Sequence, residues 1–256
     1  MKLSEEMKNK TLLSFELFPP KTEKGLQNLP GTIDHLMKYN PSYISCTYGA
    51  GGGNVGANRE VCQMIKNAGT TPVTHFTVIK NTKEGIKEQL DQYLADGVDH
   101  MLALRGDIPL GETTTCGDFD YATDLVKFVR DTYGDKFEIA VAGSPEGHIS
   151  CRSLESDIAV LKQKQDNGAD YIMTQLCWDM EQFKYWLDAI RKAGITMPET
   201  GPRFGRSRVT RRDSGEVNGT ACFIGRSETP VSRGRMEPSA TKAIRPSLGS
   251  SLRIKF

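Results

Sequence analysis

Leu94-Ala-Asp-Gly-Val-Asp-His-Met-Leu-Ala-Leu-Arg-Gly-Asp107 holds one full period of this chain. Leu94 closes an apolar stripe with Ile86 and Leu90, the spacing of a helix face. Gly97 then stops the helix, because glycine past a helix end reaches the left-handed conformation without a Cβ clash. Asp99–Leu104 follows as an apolar run of strand length, and Arg105-Gly106-Asp107 ends it in a charged turn. The same order of events recurs around Gly69, Gly134, Gly168 and Gly194.

With the strand that opens the chain, the period predicts six strand–helix units. The strands are Thr11–Leu17, Ser42–Tyr48, Pro72–Ile79, Asp99–Leu104, Phe137–Ala142 and Asp170–Gln175. Helical stripes lie between them: Val61, Met64 and Ile65; Tyr121, Leu125 and Phe128; Leu154, Ile158 and Leu161; Met180, Phe183, Leu187 and Ile190. Asp179 followed by Gln182 reads as a capping box at the last helix start. The spacing is less clear for the first helix, near residues 31–39.

Alternating strands and helices imply an α/β fold with a parallel sheet, since parallel strands need crossover connections. An open doubly wound sheet and a (β/α)8 TIM-type barrel both satisfy that rule. The predicted strands end in polar groups: Glu16, Thr47 and Tyr48, His75 and Thr77, Arg105 to Asp107, Ser144 to His148, and Gln175. Barrels gather their functional groups at the carboxyl ends of the strands, so the expectation is a barrel. It is expected to be incomplete, because the rhythm stops at Pro198. The first domain is then 1–198, and 199–256 is an unrelated tail.

Composition separates the same two segments. Residues 1–198 carry 21 Lys+Arg against 27 Asp+Glu, while 199–256 carry 12 against 5 and prefer arginine to lysine. Rich in Ser, Gly and Arg and poor in large apolar side chains, the tail is expected to be disordered, or encoded in a shifted reading frame. Its arginines lack aromatic interleaving, so nucleic-acid binding is not expected. No run of eighteen apolar residues exists, the first ten residues lack a signal-peptide core, and six scattered cysteines form no C-x-x-C pair. These features lead to the expectation of a cytoplasmic protein with reduced thiols, outside the membrane and without a metal site.

Four motifs carry chemistry. Ser14-Phe-Glu-Leu-Phe-Pro-Pro-Lys21 sets one carboxylate, Glu16, inside an apolar strand end. Partial removal from water raises a carboxyl pKa and suits it to general acid catalysis; a structural Glu paired with a base is the alternative. Gly106 permits close backbone approach to a planar ligand between the charges of Arg105 and Asp107, although a plain turn with a local ion pair would read the same. Gly51-Gly-Gly-Asn-Val-Gly56 fits the dinucleotide fingerprint, but no acid follows about 20 residues on, so a glycine loop over a site is the better reading. His75 lies inside a strand, where a satisfied core histidine is the commoner outcome, whereas His148 falls in a loop.

Taken together, Phe15–Lys21, Thr47–Ala50, His75, Leu104–Asp107, Asp120–Asp124, Pro145–His148, Asp157 with Lys164, and Thr174–Gln175 resemble the methylenetetrahydrofolate reductases. The resemblance covers about residues 11–197. It implies a flavoprotein oxidoreductase of one-carbon metabolism and methionine biosynthesis, in which NAD(P)H reduces FAD and 5,10-methylenetetrahydrofolate then takes the hydride. By resemblance Glu16 is the general acid, Asp107 tunes flavin and folate, Gln175 touches folate and nicotinamide, and Thr47 lies near the nicotinamide. Tyr48, Ala50, His75, Leu104, Arg105, Gly106, Tyr121, Ala122, His148, Asp157 and Lys164 match flavin contacts. Ser144 and Gln163 depart from the family, standing where some members carry an aromatic residue and an arginine. The family also implies a homo-oligomer, and further strands that close the folate side of the pocket. Since the resemblance stops near Pro198, little turnover is expected of this chain, and a non-catalytic flavin- or folate-binding remnant is the alternative. A third class is an interaction protein acting through the basic tail.

Overall fold

The structure is a computed structural model that describes residues 2–48, 55–108, 111–201 and 221–225, with 55–56 and 221–225 described by backbone alone. Eight strands close into a barrel in sequence order. They are β1 (Leu12–Leu17), β2 (Tyr43–Cys46), β3 (Thr71–Thr77), β4 (His100–Leu104), β5 (Glu138–Gly143), β6 (Tyr171–Thr174), β7 (Glu199–Gly201) and β8 (Ala221–Gly225). The helices are α1 (Leu3–Asn9), α2 (Glu23–Met37), α3 (Val55–Asn67), α4 (Lys83–Ala95), α5 (Ala122–Tyr133), α6 (Leu154–Asp166) and α7 (Met180–Lys192). Neighbouring strands from β1 to β7 pair parallel, in keeping with the helices between them. Among the described residues no helix is long and apolar enough to cross a membrane.

The six regular units follow the spacing of the sequence. All five helix-ending glycines have positive φ, from 57° at Gly134 to 103° at Gly168. Asp179 caps α7 by accepting from the amides of Glu181 and Gln182 at 2.9 and 3.2 Å. The reciprocal half of the expected capping box is replaced, since the Gln182 amide reaches the Pro145 carbonyl at 2.8 Å. The first crossover helix begins earlier than its apolar spacing suggested, because Thr22 caps it by accepting from Gly25 N at 3.1 Å. Pro30 sits inside α2 and breaks the pattern there, while Leu29, Ile33 and Leu36 still form its buried face.

Beyond Pro198 the sequence showed no strand periodicity, yet the sheet takes two further strands from that region. β7 is only three residues long, too short to display alternation. β8 pairs antiparallel with both β7 and β1, so its register sets Ala221 beside Glu16. The barrel is therefore incomplete as a (β/α)8 pattern and closed as a sheet.

Apolar side chains pack in two places. One cluster fills the space between sheet and helices, with Phe76, Phe137, Ile172 and Trp186 among its members. A second fills the foot of the barrel with Leu3, Met7, Leu12, Tyr43, Val73, Leu102 and Tyr171. Its Leu3 and Met7 come from α1, which lies across the amino ends of the strands. Glu138, the first residue of β5, fixes α1 by accepting from the amides of Leu3 and Ser4 at 2.7 Å each. His100 Nε2 stands 2.9 Å from the same carboxylate. Burial pulls His100 down, but Asp99 and Glu138 outweigh it and lift the imidazole to about 9.

Candidate active site

Among the described residues the opposite end of the barrel is open. A cavity of about 630 Å³ lies there, lined from β2 round to β6 by the carboxyl ends of the strands and the turns that follow. Of the residues singled out in the sequence, Tyr48, His75, Leu104, Arg105, Gly106, Asp107, Tyr121, Ala122, His148, Asp157, Lys164 and Gln175 line it together. Ser144 also lines it, whereas Gln163 is exposed on α6. Ala50 and the glycine loop 51–54 lie outside the described residues. Thr47 stands beside the lining residue Tyr48, its amide bonded to the Leu17 carbonyl at 2.9 Å.

Glu16 adjoins the cavity through His75, whose Nε2 is 3.7 Å from Glu16 Oε2. That distance is beyond a hydrogen bond. Burial raises the Glu16 carboxyl to about 7 and lowers His75 to about 4. At neutral pH the pair is thus an uncharged imidazole facing a carboxyl half in its acid form. His75 is a core histidine, but not a satisfied one, because among the described residues Nε2 has no hydrogen-bond partner. Three hydroxyls share that condition at strand positions near the mouth: Ser45 on β2, Thr77 on β3 and Thr174 on β6. Buried polar atoms without partners are uncommon and suit a polar ligand that would complete them.

The β4 turn is held against β3 by the Val78 amide, which donates to the Arg105 carbonyl at 3.2 Å. Gly106 has φ +86°, and a Cβ there would meet Ile79 Cγ1 at 2.6 Å, so the turn fits no larger residue without strain. Arg105 Nε donates to the Gly106 carbonyl at 3.3 Å. On the far wall, Asp157 holds the His148 loop by accepting from the His148 amide at 3.2 Å. Lys164 donates to the Ala142 carbonyl at 3.3 Å. Burial lowers its pKa, with Asp157 and Cys151 acting the other way. Tyr121 is 61% exposed at the rim and lines the cavity there.

Sequence reading passed over the residues that brace this wall. Asn58 is fully buried on α3, and its Nδ2 donates to the carbonyls of Cys46 and Thr47 at 3.0 Å each. Its Oδ1 accepts from Thr74 Oγ1 and the Tyr93 hydroxyl, both at 2.7 Å. The signal was available: Asn58 falls on the same helical stripe as Val61, Cys62 and Ile65, and a polar residue on an apolar face demands partners. Among the described residues no group of three His, Cys, Asp or Glu side chains could hold a metal ion.

The cavity has features that would fit a large planar, anionic ligand such as a flavin nucleotide: a turn that only glycine fits without strain, the unpartnered polar atoms of His75 and Thr77, an exposed aromatic residue at the rim and the cations of Arg105 and Lys164.

Compared with known proteins, residues 2–200 match the family described as methylenetetrahydrofolate reductase. Over 202 residues the chain is 38% identical to a probable methylenetetrahydrofolate reductase (NADH) of Oryza sativa subsp. japonica, covering 74% of this chain and 34% of that protein. It is 34% identical over 191 residues to the 5,10-methylenetetrahydrofolate reductase of Escherichia coli (strain K12), covering 74% of this chain and 63% of that one. The chain therefore spans about a third of the plant relative and less than two thirds of the bacterial one. Among solved structures it is similar in fold to an uncharacterized protein from Clostridium thermocellum that binds two copies of 5-methyl-5,6,7,8-tetrahydrofolic acid. That likeness has a TM-score of 0.57 at 12% identity and covers 78% of this chain and 68% of that one.

Proposed function

Because this chain belongs to the methylenetetrahydrofolate reductase family, we propose that its cavity is a hydride-transfer site for FAD, a reduced nicotinamide nucleotide and 5,10-methylenetetrahydrofolate. The observation that carries this reading is Glu16. Its carboxyl has a pKa of about 7 and adjoins the cavity, with a neutral imidazole as its neighbour. An acid works best when its pKa lies near the working pH. Glu16 gives its proton to a folate nitrogen, which opens the methylene bridge to an electrophilic iminium. His75, held neutral by burial, leaves that proton on the carboxyl until substrate takes it. FAD, when bound, would supply the hydride chemistry between the nicotinamide and the folate.

The other residues bind and orient. Leu104, Arg105, Gly106 and Asp107 form the turn that meets the flavin and pterin, with Asp107 adjusting both. Tyr48, His75, Tyr121 and Ala122 would contact the flavin, and His148, Asp157 and Lys164 would hold it from the β5–α6 side. Arg105 and Lys164 bring positive charge for the diphosphate. Thr47 and Gln175 face the nicotinamide and the folate. The plant relatives are named for NADH, which makes NADH the first donor to try.

We also infer that the chain beyond residue 200 does not continue the family's sequence and arises from a shifted reading frame. The family match stops at residue 200, where the charge balance and the Lys/Arg usage change. A frame +1 or −1 across codon 198 that encodes no strand-like continuation would sink this idea. Turnover is accordingly expected to stay well below the roughly 10 per second of a typical enzyme.

Titration of the purified chain with FAD, followed by NADH oxidation in the presence of folate, tests the function. Wild type is expected to quench FAD fluorescence, and Glu16→Gln to keep that binding while losing folate reduction. Equal folate reduction by both chains would overturn the role of Glu16; absence of FAD binding would overturn the whole reading.

A further inference from the structure

Tyr48 is 8% exposed, and it presents one face of the β2 end to the cavity. Its backbone is held from below, since Asn58 on α3 grips the carbonyl of the preceding Thr47 at 3.0 Å. What remains to be fixed is the ring, and a second helix does this. The Tyr48 hydroxyl donates to Gln89 Oε1 on α4 at 2.9 Å. Gln89 Nε2 donates in turn to Asn81 Oδ1 at 3.0 Å, and Asn81 Nδ2 donates to the Thr77 carbonyl at 3.0 Å.

Both ends of this relay are cavity residues, because Thr77 lines the cavity as Tyr48 does. The middle is not: neither Gln89 nor Asn81 reaches the cavity. Gln89 also stands one turn before Tyr93, which bonds Asn58, so one face of α4 carries both supports of the β2 end. The relay ties the hydroxyl of one cavity residue to the backbone of another, so the ring is referenced to the end of β3.

We propose that Gln89 is a positioning residue that acts through the Tyr48 hydroxyl and fixes the angle at which the tyrosine ring meets the flavin. The inference rests on the flavin reading above. Gln89 touches no ligand; it removes the rotational freedom of a ring that does. One neutral hydrogen bond of this kind sets the scale at about a 2- to 10-fold change in affinity.

A double-mutant cycle on FAD binding tests it, using full-length wild type, Gln89→Leu, Tyr48→Phe and the double variant. Affinity is read by flavin fluorescence and the environment of the ring by the visible flavin band. Each single variant is expected to weaken FAD by about 2- to 10-fold and to shift the band, and the double variant to bind no worse than the poorer single. Losses that multiply in the double variant would overturn the proposal, as would a Gln89→Leu chain with wild-type affinity and spectrum. A Gln89→Leu chain that no longer melts cooperatively would assign the residue to the scaffold and overturn it too. Wild type that takes up no FAD sinks the proposed function and this inference with it, whereas additive losses in a flavin-binding chain sink this inference alone.

Discussion

Replacing Glu16 with glutamine should stabilise the protein increasingly as pH rises. The carboxyl has a pKa of about 7 in the folded chain against 4.5 when freely solvated, and burial is the cause. A raised folded pKa means that the acid form is favoured by folding: the contribution is present in full below pH 4.5 and is lost as pH rises through 7. Worked through the two pKa values, the ionisation penalty is about 1.4 kcal/mol at pH 5.5 and about 3.4 kcal/mol at pH 8.5. Glutamine has nothing to ionise, so the gap between variant and wild type should widen by about 2 kcal/mol over that range, or roughly 4–8 °C in Tm. His75 stays neutral throughout, since burial lowers it to about 4, and other titrating groups are shared by both chains. Urea melts of the two proteins at pH 5.5, 7.0 and 8.5 measure the gap. A constant gap would mean that Glu16 ionises as a solvated carboxylate, and the general-acid argument would lose its physical basis.

Other expectations follow from the same structure. Gly106→Ala places a Cβ against Ile79 at a φ of +86°, so it should cost about 1–3 kcal/mol in a urea melt and weaken FAD binding several-fold. Asn58→Leu removes four hydrogen bonds, two to strand-end carbonyls and two from the hydroxyls of Thr74 and Tyr93, for a loss of roughly 3–5 kcal/mol by the same melt. His100 is raised from 6.5 to about 9, so its contribution is complete below 6.5 and disappears as pH rises through 9. Wild type should therefore exceed His100→Gln in stability most at pH 6.5, with the difference shrinking by pH 9.5; a difference that grows with pH would refute the clamp on α1.

Local signals explain what the sequence revealed and what it withheld. Gly69, Gly97, Gly134 and Gly168 mark helix ends through a backbone conformation that few other residues adopt, and with the apolar runs they located β3 to β6 to within about two residues, the runs alone locating β1 and β2. β7 and β8 escaped because three to five residues paired at the end of a sheet need little alternation; their partners define them. α1 escaped for a related reason, since Leu3 and Met7 are its only large apolar anchors and its stability comes from Glu138, far along the chain. At the site, polar residues at strand ends were legible because a barrel must gather them at one mouth. Their second layer was legible only in part. Asn58 stands out as a polar residue on an apolar stripe, but its Thr47 partner and the Tyr48 partner of Gln89 lie 11 and 41 residues away, separations that no local pattern encodes.

The helix across the foot of the barrel bears on how the acid is replenished. Leu12 lies among the apolar side chains that fill that foot, and Glu16 stands four residues further along the same strand, at the end away from α1 and beside the cavity residue His75. On the proposed function, the acid is therefore to be reloaded from the end where ligand docks, which would tie its recharging to product departure.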